Sequence, residues 1–185
     1  MRTPTCGQRA ARRGVCTTAA VVVAAALSVL AMPSVASAQG TGTQPACVTT
    51  DDAKLVNGKA IPPCEAPWRV RKTIRAANEI AKGHGYCWGG GHGSFESSCY
   101  DCSGAVSYAL HGGGLLDEPL DSNGLARWGR NGRGDWITVF ANSSHAYAKF
   151  AGLRFDTSMT PGAGPGWSAE MRSGRGFAKR HKGRL

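Results

Sequence analysis

Cys102 has the sequence surroundings of a nucleophilic thiol. It follows Asp101 after a glycine-rich stretch that begins at Gly85, and Ser103-Gly104 come directly after it. The apolar residues that follow, up to Leu110, are compatible with a helix. A cysteine at the start of a helix lies near unpaired backbone N–H groups and the positive end of the helix dipole, and both stabilise a thiolate relative to a thiol. Because the thiolate is the nucleophilic form, Cys102 is predicted to be a catalytic cysteine.

His145 and Asp156 are the residues best placed to complete a site around such a nucleophile. A thiolate needs a general base, and the base needs a group that orients it. His145 opens a predicted strand, and Ala151-Gly152 has the pattern of a two-residue hairpin turn. Because side chains alternate between the faces of a strand, this turn would make His145 and Asp156 diagonal neighbours on one face. The three residues are therefore predicted to form a triad. The alternative for His145 is a structural role, and the alternative for Asp156 is that it caps the turn or pairs with Arg154.

The elements that must position this triad are two helices and a set of strands. Residues 68–82 carry apolar side chains at helical spacing on one side and polar side chains on the other, and glycines follow them. The Cys102 helix is expected to stop at the three glycines 112–114. A short helix is predicted near 125–128, and strands rich in β-branched and aromatic residues are predicted at 136–140, 145–150 and 153–158. Helices followed by strands favour an α+β domain with an antiparallel sheet.

The first 38 residues have the pattern of a secretory signal peptide. Four arginines precede an apolar run from Val15 to Ala31, and Ala36-Ser37-Ala38 is typical of a cleavage site. The apolar run has about 17 residues, fewer than the roughly 20 that a membrane-spanning helix needs. Cleavage after Ala38 is therefore expected, giving a secreted or cell-wall protein without a stable membrane span.

The cysteine count predicts two disulfides and one free thiol. Five cysteines remain after signal cleavage, and an odd number in an exported protein indicates an unpaired one. The simplest pairing joins Cys47 to Cys64 and Cys87 to Cys99, because each bridge closes a short loop without crossing the other. Cys102 is then free, and the second bridge braces the loop before it.

Charge concentrates at the C-terminal end. The chain has a formal net charge of +10, and removal of the four signal-peptide arginines leaves 18 basic and 12 acidic side chains, a net charge of +6. Residues 161–185 are rich in glycine and proline and carry six arginines and lysines. They are predicted to be a basic tail, either simply solvated or adhering to anionic wall polymers such as teichoic acids. No nucleic-acid motif is present, so no nucleic-acid partner is expected, and the protein is expected to be a monomer.

Two motifs resemble those of a known family. Tyr86-Cys87-Trp88-Gly89-Gly90 and Asp101-Cys102-Ser103-Gly104, with a strand-opening His145 downstream, resemble the NlpC/P60 family. Members are papain-like cysteine peptidases that mostly act on bacterial cell walls. The resemblance covers about residues 68–158, and its specificity lies in the combination of the two motifs. It implies a papain-like fold, in which the nucleophile begins a helix packed on an antiparallel sheet.

The resemblance also implies roles for single residues. Cys102 corresponds to the nucleophile and His145 to its base, while Tyr86 corresponds to a tyrosine that helps to stabilise the intermediate. Asp101 and Ser103 correspond to positions that line the pocket for the peptide stem. The implied reaction is hydrolysis of the bond between D-glutamate and diaminopimelate (or lysine) in peptidoglycan stems, with no metal or other cofactor.

The implied domain organisation has four parts. They are a signal peptide (1–38), a linker with a disulfide-tethered loop (39–67), the catalytic domain (68–160) and the basic tail (161–185). Compared with the family pattern, the loop after Gly90 is longer and carries His92 and Cys99, and the third polar position of the triad falls on Asp156.

Three other functions remain open at the level of the sequence. The same fold could be a catalytically inactive wall-binding protein, or an amidase or acyltransferase that acts on another bond. His92, Cys87, Cys99 and Cys102 also offer ligands suited to zinc, although only Cys99 and Cys102 have the C-x₂-C spacing of zinc knuckles. Export to an oxidising compartment disfavours this zinc site.

Overall fold

The computed structural model describes residues 46–159 and 163–185. These residues lie within a compact unit that spans Gly42–Leu185. The predicted signal peptide and the first part of the predicted linker lie outside the described residues. None of the helices in the described ranges has the length and apolarity that a bilayer crossing requires.

A small hairpin precedes the helices. Strands β1 (Lys54–Val56) and β2 (Lys59–Ile61) pair antiparallel around Asn57-Gly58, which have φ values of 51° and 78°. Two positive φ values in a two-residue loop are what Asn-Gly supplies most readily. The side-chain amide of Asn78 fastens the hairpin to the first helix, because it accepts from the N–H and donates to the carbonyl of Ala60, both at 2.8 Å.

Two helices form one layer of the core. Helix α1 (Trp68–Ile80) and helix α2 (Cys102–Gly112), both predicted from the sequence as helices, pack against each other. The apolar side chains that were expected on one face of α1 are buried, at Val70, Ile74, Ala77 and Ile80. Between the helices, β3 (Gly85–Tyr86) and β4 (Cys99–Tyr100) form a short parallel pair. Helix α3 (Ser122–Leu125) begins slightly before the predicted short helix.

A six-stranded antiparallel sheet forms the second layer, and α2 packs against β7 and β8. The strand order is β5-β10-β6-β7-β8-β9. The bounds are β5 (Arg130–Asn131), β6 (Ile137–Ala141), β7 (Ala146–Phe150), β8 (Leu153–Asp156), β9 (Gly166–Ser168) and β10 (Ala178–His181). The predicted fold class is confirmed: an α+β domain with Cys102 at the start of a helix that packs on an antiparallel sheet.

The predicted hairpin register is also confirmed. Phe150 lies opposite Leu153, and the turn residues Ala151 and Gly152 have φ values of 41° and 88°. This register fixes which residues of β7 and β8 share a face. It brings His145, which directly precedes β7, near Asp156, at the end of β8.

The prediction of a separate tail from residue 161 is wrong for the described residues 163–185. They supply β9 at one edge of the sheet and β10 between β5 and β6. Arg180 of β10 donates to the carbonyl oxygens of Trp128 (2.7 Å), Gly129 (2.8 Å) and Arg127 (3.0 Å). Because these contacts join β10 to distant parts of the chain, the domain does not end at residue 160 as predicted.

Candidate active site

Cys102 is the first residue of α2, and Asp101 caps this helix. Oδ1 of Asp101 accepts a hydrogen bond from the Gly104 N–H at 2.8 Å. The glycine-rich loop lies directly against the first turn, since a Cβ on Gly104 would collide with the carbonyl oxygen of Gly90. The helix start is thus held in place by its cap and by the loop, and Cys102 is buried with 7% of its surface exposed.

Both disulfides of the simplest pairing are present. Cys47 is bonded to Cys64, and Cys87 is bonded to Cys99. Cys102 is a free cysteine. The second disulfide uses two of the four ligands of the alternative zinc site. It also braces the loop from Cys87 to Cys99, which packs on the start of α2.

A turn at Asn142 positions His145, the residue directly before β7. Oδ1 of Asn142 accepts from the backbone N–H groups of Ser144 and His145, both at 3.0 Å. This is the local side-chain-to-backbone pattern that favours asparagine in turns. The His145 ring then reaches Asp156, with Nε2 at 2.9 Å from Oδ1.

The surroundings of His145 favour its protonated form. Burial is the largest influence and lowers the pKa, but hydrogen bonds and charge attraction from Asp156 and Cys102 outweigh it. Together they raise the pKa of His145 from 6.5 to about 9. The imidazole is therefore an imidazolium at neutral pH, next to both a carboxylate and the Cys102 sulfur.

The Asp156 carboxylate is completely buried and has several partners. Burial, the largest influence, raises its pKa. His145 and the hydrogen bonds from the N–H (3.1 Å) and hydroxyl (3.0 Å) of Ser158 together lower the pKa by a larger amount, so that the net shift is a decrease. Arg172 donates to Oδ2 at 3.3 Å and to the Ser158 hydroxyl at 2.9 Å, and Arg154 lies 3.8 Å from Oδ2. Arg172 is not among the site residues predicted from the sequence, because it lies in the segment whose composition indicates a tail.

A cleft of about 300 Å³ lies beside Cys102. The residues assigned to substrate binding by resemblance, Asp101 and Ser103, both line it. Tyr86 lies near the same site: partial burial, the largest cause, raises the pKa of its phenol, and the neighbouring Cys102 and Asp101 raise it further. Trp88 lines the cleft with 87% of its surface exposed.

His92 contacts the polar groups at one side of this cleft. Its Nε2 lies 2.9 Å from Oδ2 of Asp101 and 2.9 Å from the Ser103 hydroxyl. Asp101 is therefore engaged with His92 as well as with the backbone of α2. The sequence indicates His92 only as a residue of the longer loop and as a ligand of the alternative zinc site, because a contact across a glycine-rich loop leaves no periodic signal.

Comparisons with known proteins give structural matches only. No family model matches the chain, and no curated protein sequence matches it significantly. Among solved structures, it is similar to the P60 domain of an antigen from M. avium subspecies paratuberculosis. The two chains are 19% identical with a TM-score of 0.44, and the match covers 60% of this chain and 93% of that chain.

Two further solved structures are matched as well. The peptidoglycan hydrolase RipB from Mycobacterium tuberculosis is 25% identical with a TM-score of 0.47, over 65% of this chain and 68% of that chain. A mutated form of the resuscitation-promoting-factor-interacting protein RipA is 18% identical with a TM-score of 0.46, over 70% of each chain. The chain is similar to P60 domains in the motifs around Tyr86 and Cys102, and a P60 domain is one of the solved structures to which it is similar.

Proposed function

We propose that this chain is a secreted cysteine peptidase that hydrolyses the peptide stems of bacterial peptidoglycan. The observation that carries the proposal is the arrangement of three groups: a free cysteine at the start of α2, His145 with a pKa that Cys102 helps to raise, and a buried carboxylate 2.9 Å from Nε2 of His145. A nucleophile, a base and an orienting group in contact are the general requirement for covalent catalysis by a thiol. The motif resemblance supplies the substrate class.

In the first half of the reaction, the Cys102 thiolate attacks the carbonyl carbon of the scissile amide. The oxygen takes up negative charge, and the backbone N–H of Cys102 at the helix start is placed to stabilise it. The tetrahedral intermediate collapses when the His145 imidazolium gives its proton to the leaving amine. The products are the free amine and a thioester on Cys102.

In the second half, neutral His145 takes a proton from water as the water oxygen attacks the thioester carbon. Collapse releases the carboxylic acid product, which gives its proton to solvent, and leaves the Cys102 thiolate and the His145 imidazolium for the next cycle. Asp156 keeps the ring oriented through both halves and stabilises its positive charge. The phenol of Tyr86, close to Cys102, is proposed to stabilise the intermediate.

The cleft beside Cys102 is proposed to hold the peptide stem, with Asp101 and Ser103 in its wall. The proposed bond is that between D-glutamate and diaminopimelate, as in the family. Export is consistent with the two disulfides, which are typical of proteins outside the cytoplasm. Catalysis through Cys102 is also better supported than an inactive wall-binding role, because Cys99 is bonded to Cys87 and does not block the nucleophile.

The proposal is tested by incubating the protein with purified peptidoglycan and analysing the soluble products by mass spectrometry. Wild type should release fragments with a new amino terminus at diaminopimelate, and Cys102→Ala should release none. Fragments cut at another bond would support the amidase or acyltransferase alternative. Absence of fragments from several peptidoglycan types, with Cys102 shown to be reduced, would support the binding role instead.

A further inference from the structure

A groove lined by basic residues lies between the start of α1, the turn before β5 and the end of β10. It consists of two cavities of about 600 and 210 Å³, which share Arg130, Lys182 and Arg184. We call it the basic groove and define it by these three residues together with Trp68, Arg69 and Arg133. It has no lining residue in common with the cleft beside Cys102.

The groove carries positive charge that its own walls do not neutralise. Five of its six defining residues are arginines or lysines, and among the described residues that line it Asp135 contributes the only acidic side chain. Within the described parts of the chain, none of the five has a carboxylate within 4.0 Å. A concave surface lined by one sign of charge concentrates ligands of the opposite sign.

The backbone on one side of the groove is firmly fixed. Arg180 holds three successive carbonyl groups, at residues 127–129, with hydrogen bonds of 2.7 to 3.0 Å. Gly129 has a φ of 57°, and its Cα lies so close to the His181 carbonyl that any side chain would collide there. The turn before β5 and the end of β10 are thus joined directly, and the groove between them is preformed.

An indole ring adds an apolar surface to the charge. Trp68 is 54% exposed, and the cationic groups of Arg69 and Lys72 lie 5.4 and 4.9 Å from its ring centroid. Guanidinium groups suit phosphate oxygens because they donate two parallel hydrogen bonds. We propose that the basic groove binds a phosphodiester-linked anionic polymer of the cell wall, with its phosphates on the arginines and its sugar or polyol units against Trp68.

The choice of a wall polymer over a nucleic acid depends on the proposed function, which locates the protein at the cell wall. The structure adds a second argument. Single-stranded nucleic acids are held by several aromatic side chains that stack successive bases. Of the two indoles among the described residues that line the groove, Trp68 is 54% exposed, whereas Trp136 is partly buried. Binding here would hold the catalytic cleft near its substrate by raising the local concentration of enzyme at the wall.

The test measures binding of purified poly(glycerol phosphate) to the protein with Cys102→Ala, so that hydrolysis plays no part. Arg130→Gln with Arg184→Gln should weaken binding at least tenfold and should reduce the slope of log K against log salt by about two, one for each lost phosphate contact. Trp68→Leu should weaken binding severalfold without changing that slope. The matched control is Lys59→Gln with Arg75→Gln, which removes the same charge at exposed positions outside the groove.

Three results would overturn the inference. They are an equal loss of binding in the control, tighter binding of single-stranded DNA or anionic vesicles than of the polymer at equal charge, and no binding of the polymer at physiological salt. Circular dichroism verifies that each variant is folded. The groove variants, made with Cys102 intact, should cleave a soluble stem peptide at the wild-type rate. If the hydrolase proposal is wrong, wild type will not cleave the stem peptide either. The comparison of polymer binding between the groove variants and the control does not depend on that cleavage.

Discussion

Arg172 and His145 contact opposite oxygens of the same carboxylate. His145 Nε2 lies 2.9 Å from Oδ1 of Asp156, while Arg172 Nη1 lies 3.3 Å from Oδ2. The Arg172 guanidinium also lies over the rings of Tyr147 and Phe177, at 5.3 and 5.6 Å from their centroids. Arg172 is thus fixed by packing as well as by charge, and it restricts rotation of the Asp156 carboxylate.

Arg172→Gln is therefore expected to lower kcat while changing KM little. The carboxylate would lose a charged partner, and His145 would be oriented less firmly. A fall of about tenfold corresponds to roughly 1.4 kcal/mol in the activation free energy. The measurement is steady-state cleavage of a soluble stem peptide, with exposed Arg175→Gln as the control of equal charge change. An unchanged kcat in a folded Arg172→Gln protein would show that Arg172 does not position Asp156.

The pH dependence of activity should report the His145 imidazolium. Since its pKa is about 9, kcat/KM should fall as the pH rises through about 9, where the proton donor is lost. Asp156→Asn removes a negative charge and a strong acceptor, so the pKa of His145 should decrease toward 6.5 and the basic limb should move to lower pH. Asp117→Asn, at an exposed position, should leave the limb in place. A basic limb that stays near 9 in Asp156→Asn would contradict the role given to this carboxylate.

Stability should also depend on pH through the same histidine. Its pKa is higher in the folded state than the ordinary value of 6.5, so the folded state binds the proton more tightly. The resulting contribution to the free energy of unfolding is complete below pH 6.5 and is lost as the pH rises to about 9. Urea unfolding of wild type and His145→Gln across this range provides the test. If the difference between the two proteins stays constant with pH, the histidine has no raised pKa.

Gly104 is expected to be intolerant of a side chain. The new methyl group of Gly104→Ala would collide with the carbonyl oxygen of Gly90 and push the glycine-rich loop away from the start of α2. Such overpacking costs about 1–3 kcal/mol in stability and should also reduce activity, because Cys102 lies in the same turn. Gly93→Ala is the matched control, since nothing lies within 4 Å of its added Cβ. Equal melting temperatures for the two variants would count against this close packing.

Local patterns in the sequence predicted the parts of the site that depend on neighbouring residues. The start of α2 at Cys102 follows from the glycine-rich stretch before it and the apolar run after it, and the pairing of His145 with Asp156 follows from the turn at Ala151-Gly152. The hairpin β1–β2 was interpreted as a loop, although Asn57-Gly58 is a typical turn signal. These features are set by contacts over few residues, where residue type and spacing carry the information.

Contacts between distant segments could not be predicted in this way. Strand β10 has the sequence Ala-Lys-Arg-His, which lacks the apolar alternation of a strand between two others. Its place beside β6 depends on Arg180, whose hydrogen bonds to residues 127–129 span about fifty residues of chain. Arg172 and His92 likewise meet their partners only after the segments around them are placed. A basic, glycine-rich composition therefore indicated a tail where the chain completes its sheet.

The central claim is that Cys102 forms a thioester with the peptide stem. The most direct test is to mix the protein with a soluble stem peptide, stop the reaction with acid within milliseconds, and measure the intact mass followed by peptide mapping. The mechanism predicts an added mass equal to the acyl half of the peptide on the Cys102 peptide, absent from Cys102→Ala, which should also fail to cleave. Cleavage of the stem by Cys102→Ala at the wild-type rate would contradict the mechanism.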